Sequence, residues 1–199
     1  MEDLKKNLSE VFLRGLNNGF SDSEIQNILN SMITHGEING DSFFDYLKHN
    51  AVTANDFVFL GWFCEWTYKT PEPNFCFRQY EKAFQIDPTN IYSQAHIANW
   101  IYRKNYVQAL KLYKEYSQSG NHLCQYQLAC NYIDSDFNKA FQLQHSAALK
   151  GHKHAQFGLT YCYTRGIGTQ KDLHKAFYWS TIDSEKKDEF QIVEWMDWI

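Results

Sequence analysis

Eight histidines and five cysteines are the residues of this 199-residue chain best suited to ligating a metal or attacking an electrophile. His152 and His154 flank Lys153 just ahead of a helical stretch, with His145 seven residues upstream. A tetrahedral metal site there would need a third and a fourth ligand, and no recognisable ligand spacing supplies them. Neither CxxC nor CxxC followed by HxxxH occurs. The cysteines (Cys64, Cys76, Cys124, Cys130 and Cys162) are odd in number and irregularly spaced. They read as free thiols in a reducing compartment, most of them small core residues. Cys124 and Cys130, six apart, fall on different faces of a helix. A Cys–His nucleophile pair would have to be assembled in space, because no flanking signature marks one. The expectation is a chain with no catalytic, cofactor-binding or metal-binding residues.

Composition sets the frame for what must position any site. The net charge is −4 and aromatic residues make up 17% of the chain, which is incompatible with general disorder. A mildly acidic balance argues against nucleic acid, which would want a basic face. The uncharged run around Phe57–Cys64 is far shorter than a membrane span, and no signal peptide is visible in residues 1–20. Ten glycines and three prolines are too few for a many-turned β protein. A soluble, cytoplasmic and mostly helical protein is expected.

Internal repetition decides the architecture. Four segments, centred on Ala83, Ala109, Ala140 and Ala176, carry large apolar residues three before, one after and three after the alanine. Those offsets surround one small residue with bulky ones on the buried side of a helix. Asn105, Asp136 and Asp172 stand four before the alanine in the last three copies, where an N-cap belongs. A second anchor precedes each segment: Leu60-Gly61, Ile97-Ala98, Leu128-Ala129 and Leu159-Thr160. The small positions are 37, 31 and 31 residues apart, and the gaps from each to the next alanine are 22, 11, 11 and 16. The pattern predicts antiparallel helix pairs in close approach, joined by connectors of unequal length.

Residues 155–163, AQFGLTYCY, followed by Gly166-Ile167-Gly168, Asp172 and Lys175-Ala176, resemble a Sel1-like repeat. Residues 124–132, CQYQLACNY, with Lys139-Ala140, form a second copy with a shortened loop. Thr160 stands where the family usually has a small residue, and only the fourth copy keeps Gly-x-Gly. The resemblance covers roughly residues 55–185 and implies the tetratricopeptide-like superfamily. The fold expected is all-α, a right-handed solenoid of stacked antiparallel helix pairs. Residues 1–54 would cap it with helices over Asp3–Leu16, Ser21–His35 and from Asp41 onward, similar to the lead-in helices of some large fungal Sel1 families. Four repeats would fill residues 55–187, and residues 188–199 would be a capping helix or a truncated fifth repeat, with Trp195 and Met196 in the large and small slots.

In such solenoids the first helix of each repeat lines the concave face. The resemblance therefore selects Val58, Trp62 and Glu65; Ala95, Asn99 and Tyr102; Tyr126, Cys130 and Ile133; and Phe157, Tyr161 and Thr164, with Arg103 and Arg165 at the rim. Aromatic and amide groups beside a few charges suit an extended peptide. For Tyr126 and Phe157 the alternative is burial between helices. The function implied is a non-catalytic adaptor for another protein, or else a regulatory arm separated from a kinase-like enzyme.

Overall fold

The computed structural model describes residues 2–17, 25, 27, 30, 31, 40–66 and 74–182. The predicted helix over 189–199 and most of the one over 21–35 lie outside the described residues. The elements are α1 (Glu2–Asn17), α2 (Gly40–Asn50), α3 (Ala54–Trp66), α4 (Phe75–Ile86), α5 (Ile91–Tyr102), α6 (Tyr106–Gln118), α7 (His122–Tyr132), α8 (Phe137–Leu149), α9 (Lys153–Arg165) and α10 (Leu173–Thr181). The described structure is all helix, turn and loop. Two compact units divide the chain, residues 1–124 and 125–199.

Caps explain where the helices begin. The side chains of Asn105, Asp136 and Asp172 accept the backbone N–H groups of Gln108, Lys139 and Lys175, each at 3.0 Å, as their spacing predicts. The first helices have a parallel set that sequence reading missed. Asn90 accepts from Tyr92 and Ser93, Asn121 from Leu123 and Cys124, and the His152 ring from Ala155. These caps are 31 residues apart, and each precedes its small position (Ala98, Ala129, Thr160) by eight. A glutamine follows each cap by four: Gln94, Gln125 and Gln156. Gln94 donates to the Pro88 carbonyl and Gln156 to the Ala148 carbonyl, so each ties its helix to the turn or helix before it. Thr53 and Asp56 start α3 with a reciprocal pair, N–H of each to the side chain of the other at 2.9 and 3.2 Å.

Packing follows from the small residues. Ala83, Ala98 and Ala109 are fully buried, and Ala129, Ala140 and Ala176 nearly so. At Gly61 an added Cβ would meet the Tyr80 ring at 2.7 Å, so α3 and α4 come together where the residue has no side chain. In α9 the tight approach is displaced from the predicted slot. Thr160 is half-buried and turns its hydroxyl to its own helix at the Gln156 carbonyl, whereas a Cβ on Gly158 would meet Cδ of Gln144 in α8 at 2.6 Å. The first unit's core gathers Leu8 and Phe12 of α1, Phe43 and Leu47 of α2, residues 58–63 of α3, and Tyr80 of α4. The second unit's core is Ala147, Ala148, Ala155, Leu159, Tyr163, Ala176 and Trp179.

Two expected results test this construction. Enlarging Ala140 to leucine overpacks a buried contact and should lower stability by ~1–3 kcal/mol in denaturant titration. An unchanged midpoint would mean that the register is wrong. The Asp172 carboxyl is held below its ordinary 3.8, chiefly by the backbone N–H of Lys175. A carboxyl lowered on folding adds stability above its ordinary value and loses it as pH falls through the lowered one. Asp172→Asn keeps a capping oxygen but loses the charge beside Lys175, so it should be slightly less stable than the parent at neutral pH and lose less stability between pH about 5 and 2. Identical acid profiles for the two proteins would remove Asp172 from the account.

Candidate functional site

The residues expected on the first helices fall in both units. In the first unit, α3 supplies Glu65 and α5 supplies Asn99 and Tyr102, with Arg103 just past the end of α5. Both carboxylate oxygens of Glu65 are engaged: the Tyr80 hydroxyl donates to Oε2 at 3.0 Å and Arg103 Nη1 stands 3.0 Å from Oε1. The Arg103 side chain stays 60% exposed while the Glu65 side chain is 15% exposed, so the carboxylate anchors a guanidinium that faces solvent. Asn99 accepts the Tyr113 hydroxyl at 2.6 Å, which fixes its oxygen and turns its amide hydrogens away from that bond. Burial pushes the Tyr113 phenol well above its usual range, so it donates throughout the physiological range. Tyr102 lies edge-on to Tyr106, with ring centroids 5.5 Å apart, and leaves 45% of its surface open.

Three residues selected from the sequence do not belong to this surface. Trp62 and Val58 are fully buried and Ala95 is 5% exposed. For Val58 and Trp62 the reason is that α3 is apolar all round, covered by α1, α2, α4 and α5. The repeat offsets that expose these positions elsewhere meet lead-in helices here.

In the second unit, Tyr126 of α7 stacks on His152 (4.4 Å) and His154 (6.0 Å) at the start of α9. This half-buried ring joins two first helices rather than lying open, and burial pushes its phenol up. Cys130 is exposed further along α7, and Ile133 is exposed in the turn just past its end. On α9, Phe157 (47%) and Tyr161 (45%) are open one turn apart, followed by Thr164 and the exposed Arg165. Thr164 donates its hydroxyl to the Thr160 carbonyl at 2.7 Å. Arg103 and Arg165 occupy equivalent places, two 31-residue steps apart.

Among the described residues, no group of three or more His, Cys, Asp or Glu side chains could hold a metal ion, and no helix is long and apolar enough to cross a membrane. A different feature lies where the second helices α4 and α6 flank α5. Phe77 and Phe84 of α4, Ile97 and Ile101 of α5, and Leu112 and Tyr116 of α6 line a groove.

A solved structure shares this arrangement of helices over 66% of the chain, with a TM-score of 0.54 and 22% identity: the Sel1 repeat protein from Oxalobacter formigenes. The chain has a Sel1-repeat fold. No protein-family model and no curated protein matches the sequence. The chain spans 56% of the length of the Oxalobacter Sel1 repeat protein. Among the described helices α3 packs on α4, α5 on α6 and α9 on α10, and Ser146 of α8 donates to Gln125 of α7 at 3.1 Å.

Proposed function

We propose that the chain is a non-catalytic protein-interaction scaffold that holds an extended peptide on its first helices, the concave side of such an array. The observation that carries this reading is the repetition of an aromatic–guanidinium edge. Arg103 and Arg165 end first helices at equivalent repeat positions, and each has an open ring nearby, Tyr102 one residue before the first and Tyr161 one turn before the second. Rings provide stacking area at little entropic cost, and guanidinium and amide groups donate to peptide carbonyls. Glu65, Asn99, Cys130, Phe157 and Thr164 complete the two surfaces; Tyr126 supports the second from beneath. Five free cysteines and a net charge of −4 fit a cytoplasmic protein whose partner is another protein rather than nucleic acid.

Selection from a displayed random-peptide library supplies a ligand with which to test this. Changing Phe157 and Tyr161 together to alanine, or Tyr102 and Arg103 together, should weaken the selected peptide roughly tenfold or more, with helical content unchanged by circular dichroism. Peptides that bind both variants normally but fail on Phe84→Ala with Leu112→Ala would move the site to the second-helix groove and overturn the proposal.

A further inference from the structure

Two buried cysteines stand on the packed helices α3 and α4. Cys64 is 2% exposed and Cys76 is 8% exposed. One turn before Cys64, a Cβ on Gly61 would stand 3.1 Å from the Cys76 carbonyl oxygen, so the backbones are near enough for the thiols to touch. The Cys64 side chain lies within hydrogen-bonding reach of the Cys76 thiol. Cys76 is also the second residue of α4, whose first-turn N–H groups have no partner within the helix. Asn74, left-handed at φ 61°, gives that turn no side-chain cap. A sulfur carrying negative charge at this place therefore has a thiol donor on one side and helix N–H groups on the other. The Cys64 hydrogen bond, chiefly, holds the Cys76 thiol below its usual range in spite of burial and the nearby Glu65. By contrast, burial raises the thiols of Cys124 and Cys162, which keeps them protonated and inert.

We propose that Cys64 and Cys76 are a redox pair, in which a small hydroperoxide oxidises Cys76 and Cys64 resolves the product to an intramolecular disulfide between α3 and α4. The Cys76 sulfur attacks the terminal oxygen of R–O–O–H. An S–O bond forms, the O–O bond breaks, and the peroxide is reduced to the alcohol, which takes the thiol proton. The Cys64 sulfur then attacks the sulfenic acid. An S–S bond forms, the S–O bond breaks, and hydroxide leaves with the Cys64 proton as water. One peroxide is consumed per disulfide, and a dithiol reductant reverses the change.

The test uses the full chain and one equivalent of hydrogen peroxide. Untreated protein, once unfolded, should titrate five thiols. After peroxide acts on the folded protein the count should fall to three, peptide mapping should place the disulfide between Cys64 and Cys76, and dithiothreitol should restore five. Cys64→Ser should halt the reaction at a dimedone-reactive sulfenic acid on Cys76, and Cys76→Ser should leave Cys64 reduced. If peroxide instead consumes the exposed Cys130 while Cys64 and Cys76 still titrate after unfolding, the proposal is overturned. That result comes from the parent protein alone, whether or not the serine variants fold.

Discussion

Trp62→Ala is expected to lower the stability of the first unit by about 3–5 kcal/mol, the range for emptying a buried aromatic site. Trp62 has no exposed surface and packs on the Phe12 ring, with centroids 4.9 Å apart. Phe43, Phe59 and Phe63 complete an aromatic cluster in which the rings meet edge-on. A hole of indole size there cannot close, because its walls are themselves large side chains fixed by one another. The midpoint of thermal unfolding should fall on the order of 10 °C, and Trp62→Phe should restore part of it. Loss of peptide binding with stability intact would return Trp62 to the recognition surface, where its place in the repeat first put it.

Gly168→Ala is expected to cost about 2–4 kcal/mol, confined to the second unit. Two effects add. The backbone at Gly168 is left-handed, with φ 65°, which costs a residue with a side chain roughly 1–2 kcal/mol. An added Cβ would also collide with the Phe137 carbonyl and stand 2.7 Å from Cβ of Phe141. Those atoms belong to α8 rather than to a movable side-chain tip, so the loop must shift away. Gly151→Ala separates the two effects: it is also left-handed, at φ 86°, but a Cβ there meets nothing within 4 Å. It should show only the smaller, conformational part in the same denaturant titration.

The sequence revealed most about the second helices. There the alanine with three large neighbours and the cap four residues upstream state a helix start, a buried face and a contact point in one pattern, as at Asp136 and Ala140. It revealed less about the first helices. Their caps at Asn90, Asn121 and His152 keep a strict 31-residue step, but a histidine is an unfamiliar cap, so the three do not look like one class. Exposure was the hardest property to read. The offsets place Trp62 and Tyr161 alike, yet lead-in helices bury one while the other stays open, and covering elements leave no mark on the residues they cover. Thr160 fails differently. Its hydroxyl finds a carbonyl on its own helix, so close approach passes to Gly158, a position that the repeat does not single out.

The unequal connectors have a consequence for how such a chain changes over generations. Between α7 and α8 the turn closes tightly, with Ser135 and Asp136 both donating to the Tyr132 carbonyl. Between α9 and α10 a longer loop through Gly166 and Gly168 ends with Asp172 donating to the Tyr163 carbonyl, and the next helix begins from the same kind of cap. Doubling a flexible loop costs only ~0.6 kcal/mol of closure entropy. One residue inserted within a helix would instead turn every later side chain by about 100° and carry the alanine off its contact. Insertions and deletions are therefore tolerated at the connectors and purged from the helices. Lineages of this chain should drift apart in length and in recognisable spacing long before their cores diverge in three dimensions.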